Sequence, residues 1–139
     1  MTGTVTKAAA LHIIDDDAIH RLVDEFYARI RADKELGPIF ERAIPGDWGP
    51  HLGTMRNFWS SVMNTSGRYK GNPVAVHGRI IGIELRSFDR WLALFDETCR
   101  DLFAPNVAAA FNAKAERIAE SLKLALFYRP DRHWPASAS

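Results

Sequence analysis

The chain has 139 residues, 47% of them hydrophobic, which suits one globular domain with a sizeable core and argues against disorder. Its 18 basic and 17 acidic residues leave a formal charge of +1, so no pervasive basic surface points to nucleic acid, and no apolar run reaches membrane-spanning length. The one cysteine, Cys99, excludes an internal disulfide, a Cys-x-x-Cys-His attachment site and a cysteine zinc site, and it fits a reducing cytoplasm.

Residues 1–14 carry little periodicity and read as a flexible N-terminal arm, without a convincing signal peptide. Asp15-Asp16-Asp17 offers an N-cap and negative charge at a helix start. Ile19, Leu22, Val23, Phe26, Tyr27 and Ile30 then recur at three- and four-residue steps, the stripe of an amphipathic helix that Asp33-Lys34 ends. Leu36 to Phe40 is too short for a long helix, and Pro38 suits a single turn. Ile44-Pro45-Gly46-Asp47 is a turn cluster. A second helix is expected to start between Asp47 and Pro50 and to place His51, Met55, Phe58, Trp59 and Val62 on one face, a face whose first member is polar. Asn64 to Gly67 stops it.

A glycine- and proline-punctuated stretch, Gly67 to Pro73, leads into the short apolar run Val74-Ala75-Val76 and ends at His77. Ile80 to Leu85 is a connector. Leu85, Phe88, Trp91, Leu92, Phe95, Cys99 and Leu102 form the next stripe, in which Cys99 reads as a small buried apolar residue. Pro105 breaks the chain, and Val107, Phe111, Ala115, Ile118, Leu122 and Ala125 mark a last helix. The folded domain is expected over 15–129, with a polar tail over 130–139. No strand alternation and no internal repeat is present, so the fold class is all-α.

On residue type alone, the candidate functional side chains keep two readings each. His77 is either a metal ligand, since neutral imidazole is the commonest one, or a capping or surface histidine. Tyr27 and Trp91 are either core aromatics or donors aimed at a ligand, and His51 is either a surface residue at a helix start or a gate. Neither a Glu-x-x-His di-iron pattern nor a His-Glu-x-x-His zinc pattern is present.

Several stretches together resemble a known family. They are Phe26-Tyr27, Asp33 to Phe40, Trp48-Gly49-Pro50-His51, Phe58-Trp59, Tyr69 to His77, and Phe88 to Phe95, with Trp91 following His77 by 14 residues. In this order and spacing, from about Ile19 to Ala125, the chain resembles the group III truncated haemoglobins. The double-glycine motifs of other truncated globin groups are absent, as is general in group III, and Ser87 stands where relatives often carry a polar ring. The resemblance implies a shortened globin fold, a two-over-two helical sandwich around haem b. It implies His77 as the axial iron ligand, with Tyr27, His51 and Trp91 on the ligand side.

A flat apolar ring needs apolar walls. Phe40, Leu52, Met55, Phe58, Trp59, Val76, Ile80, Ile81, Phe88, Phe95 and Ile118 are the candidates from the stripes. Arg56, Lys70 and Arg79 are candidates for the haem carboxylates. The implied function is binding of dioxygen and other small diatomic ligands, with nitric oxide dioxygenation or peroxidase-like reduction driven by an external reductant. The alternative is a non-catalytic protein of oxygen binding, sensing or storage.

Overall fold

The computed structural model describes residues 14–128. The arm expected over 1–14, Ile14 apart, and the tail expected over 130–139 lie outside the described residues. Ile14 itself is buried, and its carbonyl accepts from Asn64 Nδ2 at 2.7 Å. It belongs to the packed body rather than to an arm.

Among the described residues there are six helices and no strand: α1 Asp16–Ala32, α2 Leu36–Ala43, α3 Gly49–Asn64, α4 Pro73–Gly78, α5 Leu85–Leu102 and α6 Pro105–Phe127. No described helix is long and apolar enough to cross a membrane. The architecture is the two-over-two sandwich of a shortened globin fold. α1 packs on α3, α5 packs on α6, and α1 lies across α5. α2 bridges α1 and α5, and α4 packs on α6.

Local chemistry explains the element ends. Asp15 accepts from the Ala18 N–H at 2.9 Å, and Asp16 and Asp17 place negative charge in the first turn of α1. The stripe Ile19, Leu22, Val23, Phe26, Tyr27 and Ile30 is buried throughout. α2 runs to two turns, longer than the single turn expected from Pro38. One cause is Asp33, whose Oδ2 accepts from the Glu35 and Leu36 N–H groups at 3.1 and 2.9 Å. Another is Gly37. A Cβ there would sit 2.8 Å from the Arg31 carbonyl oxygen, so only glycine lets α2 start this close to the end of α1. At α3 the Asp47 carboxylate accepts from the Gly49 N–H at 2.9 Å, and Pro50 occupies the first turn. In α4, Asn72 caps through the Ala75 N–H at 3.2 Å, and Pro73 opens the helix.

The core is an aromatic stack. Phe95 lies between Trp59, at 5.0 Å and 18°, and Trp91, at 5.3 Å and 10°. Phe26 meets Phe95 and Trp91 edge-on at 5.1 and 5.3 Å. Each such pair contributes about 0.5–1.5 kcal/mol beyond area burial. The stack fixes the ring planes of Trp59 and Trp91 before any ligand is considered. Cys99 is fully buried, and burial followed by the nearby Asp96 charge pushes its thiol up to about 12.

Candidate functional site

A cavity of about 460 Å³ opens among all six helices, within the roughly 300–1,000 Å³ common for small-molecule sites. Tyr27 from α1, Phe40 from α2, His51, Met55, Phe58 and Trp59 from α3, Val76 and His77 from α4, Phe88 and Trp91 from α5, and Ile118 from α6 all line it. Arg79 and Ile80 line it from the turn after α4.

Three expected lining residues sit elsewhere. Leu52 packs against the main core, because it follows His51 by one position and therefore lies about 100° round α3. Ile81 is 79% exposed in the turn after α4, where no helical periodicity governs side-chain direction. Phe95 is wholly buried inside the Trp59–Trp91 stack and does not reach the cavity. Of the three candidate cations only Arg79 lines the cavity. Arg56 pairs with Asp24 at 2.8 Å.

The polar groups of the cavity are few and individually constrained. His77 Nδ1 lies 2.7 Å from the Pro73 carbonyl oxygen. A carbonyl only accepts, so Nδ1 carries a proton, and in the neutral ring Nε2 keeps a bare lone pair. His51 is half-buried, and its Nε2 is buried without a hydrogen-bond partner among the described residues. Desolvation, and then the nearby His77, lower its pKa, so the ring stays neutral near pH 7. Tyr27 is 4% exposed, and burial pushes its hydroxyl well above the usual phenol range. That hydroxyl donates to Met55 Sδ at 3.0 Å.

Tyr27, His51 and Trp48 form one cluster. The His51 ring meets Tyr27 edge-on at 5.2 Å and Trp48 edge-on at 5.3 Å. Trp48 is held from outside by Glu41, which accepts from its Nε1 at 3.1 Å, and by the Arg31 guanidinium at 4.5 Å from its ring. Sequence reasoning gave Trp48 no role. Tyr69 was also missed as a lining residue. It meets Phe58 edge-on at 5.1 Å, and the only sequence signal was its aromatic type near His77. Ser87 lines the cavity while its Oγ accepts from the Glu84 N–H at 3.0 Å.

No protein-family model matches the chain. Among curated proteins it is similar to the group 3 truncated haemoglobin ctb of Campylobacter jejuni, with 30% identity over 117 residues, which is 82% of this chain and 92% of that protein. Among solved structures it is similar to the crystal structure of the group III truncated haemoglobin from Campylobacter jejuni, with a TM-score of 0.79 and 31% identity. That match covers 87% of this chain and 97% of the other. The chain belongs to the group III truncated haemoglobins.

Membership of the globins implies a haem cofactor, and the residues of this globin fit one. The cavity walls are mainly apolar, as burial of a large flat ring requires. One histidine presents a bare nitrogen, and a second has a buried nitrogen that needs a partner. Among the described residues no group of three or more His, Cys, Asp or Glu side chains is placed to hold a metal ion.

Proposed function

We propose that the protein binds haem b through His77 Nε2 and holds dioxygen and other diatomic ligands against Tyr27, His51 and Trp91. We further propose that it consumes them, by nitric oxide dioxygenation or peroxide reduction, with electrons from an external reductant. The observation that carries this reading is the unpartnered, buried His51 Nε2, on a ring packed against Tyr27, in a mainly apolar cavity that His77 also lines. When bound, the haem supplies an iron centre that takes the diatomic ligand and exchanges electrons.

The chain's own residues do the rest. The Pro73 carbonyl holds the His77 proton on Nδ1, which fixes the ring and makes Nε2 a better donor to metal. Phe40, Phe58, Trp59, Phe88 and Ile118 provide the apolar walls, and Arg79 provides a cation for a carboxylate. Tyr27 remains a protonated donor because burial disfavours its phenolate. Trp91 Nε1 is a donor with no acceptor capacity, on a ring held by Phe95. His51, kept neutral by desolvation, can accept or pass a proton at Nε2.

Two donors, Tyr27 once released from Met55 and Trp91, stabilise negative charge on a ligand and slow its loss, which suits reaction better than delivery. A single, buried cysteine suits the reducing cytoplasm where we place the protein. Stopped-flow mixing of the oxygenated protein with nitric oxide, and of the ferric protein with peroxide, tests the reading. Repeated turnover with an added reductant supports it. Reversible binding and release, with neither substrate consumed, overturns it in favour of a storage or sensing protein.

A further inference from the structure

The Tyr27 hydroxyl is already engaged. It donates to Met55 Sδ at 3.0 Å, and the Tyr27 ring packs on those of Phe26, Phe40, Trp48 and His51. His51 and Met55 are four residues apart on α3, so they share one face, and both line the cavity. A thioether is a weak acceptor. Hydrogen bonds to a charged acceptor are roughly twice as strong as neutral ones. A ligand in the cavity must therefore compete with the sulfur for the one hydroxyl, and the outcome depends on its negative charge.

We propose that Met55 is a positioning residue that sets ligand selectivity, its thioether retaining the Tyr27 hydroxyl against neutral ligands and releasing it to ligands that draw negative charge. The inference rests on the haem reading above. Carbon monoxide leaves the hydroxyl on the sulfur. Dioxygen, which draws charge from the iron, captures it. Met55 thus withholds the hydroxyl from carbon monoxide and lowers what dioxygen gains from it by the strength of the sulfur bond.

The test uses the full-length, haem-loaded protein with Met55→Leu and Met55→Gln, each alone and combined with Tyr27→Phe. Leucine removes the acceptor at similar volume, and glutamine supplies a stronger one. The readouts are the C–O stretching band of the carbon monoxide complex and the dioxygen dissociation rate. The wild-type band should not move with Tyr27→Phe. Met55→Leu should add a lower-frequency band that Tyr27→Phe abolishes. Dioxygen dissociation should slow about threefold in Met55→Leu and quicken about threefold in Met55→Gln, as expected when one modest hydrogen bond is gained or lost in competition. A wild-type band that shifts with Tyr27→Phe overturns the inference. So does a Met55→Leu effect that survives in the Tyr27→Phe background, which would reflect packing. Variants indistinguishable from wild type in both readouts, with haem bound, overturn this inference alone. Failure of the wild type to take up haem overturns the haem reading and this inference with it.

Discussion

Replacing Tyr27 by phenylalanine removes one oxygen atom and separates two functions of the residue. The ring is 4% exposed and packs on Phe26, Phe40, Trp48 and His51, so all of its apolar contact is kept. The folding loss is limited to the bond to Met55 Sδ. A net hydrogen bond contributes about 0.5–1.5 kcal/mol, and a sulfur acceptor places it at the low end. The sulfur left behind is weakly solvated, so its burial without a partner adds little. The expected destabilisation is below about 1 kcal/mol.

The ligand effect is larger. A hydrogen bond to an acceptor bearing charge contributes about 1.5–3 kcal/mol, and breaking the sulfur bond to make it costs about 0.5–1 kcal/mol. The difference of about 1.5 kcal/mol corresponds to roughly tenfold faster dioxygen dissociation in Tyr27→Phe. Stopped-flow displacement of dioxygen by carbon monoxide measures the rate, and urea unfolding measures the stability. An unchanged dissociation rate would refute the donor role. A stability loss above about 3 kcal/mol would refute the packing argument.

Gly37→Ala should destabilise the protein by about 1–3 kcal/mol in urea titrations, since the new methyl would press on the Arg31 carbonyl at 2.8 Å. Phe95→Ala should cost about 3–5 kcal/mol in the same assay and broaden the absorption bands of bound haem, because Trp59 and Trp91 lose the ring that holds them. The Arg90 guanidinium, 2.6 Å away, holds the Asp33 carboxyl below its usual value against an opposing effect of burial. The stability this gives is present above the unfolded carboxylate pKa and is lost as pH falls through the lower folded value. Asp33→Asn should therefore weaken the fold near neutrality, and its difference from wild type should shrink below about pH 4. Cys99, raised to about 12 and fully buried, should resist iodoacetamide in the native protein and react fully in urea.

The helices were legible because their stripes are strict. Ile19 to Ile30 and Leu85 to Leu102 hold helical spacing over three or more turns, and tertiary packing agrees with it. His77 was legible as the end of a short apolar run after a glycine- and proline-punctuated stretch, and its cavity position was supplied by the family resemblance rather than by spacing. Helical register puts His51 on one face with Met55, and its place on the ligand side came from the family resemblance. The failures have equally local causes. Leu52 is a stripe candidate, yet it lies at the edge of the α3 face and packs on the core instead of the cavity. Ile81 sits in a turn, where neither period applies. Phe95 shares a stripe with Trp91, yet stacking on two indoles draws it inward. The Tyr27–Met55 bond joins residues 28 positions apart, and no linear pattern encodes the meeting of a hydroxyl and a sulfur. The second turn of α2 depended on Gly37 meeting a carbonyl of the preceding helix, a contact that exists only after folding.

The account turns on His77 as the residue that holds the haem iron. The most direct measurement is the absorption spectrum of the purified protein with haem, taken for the wild type and for His77→Ala with and without added imidazole. The wild type should show a Soret band with histidine-ligated features, which His77→Ala should lose and added imidazole should restore. A wild type that takes up no haem, or a His77→Ala protein that keeps unchanged histidine ligation, would contradict it.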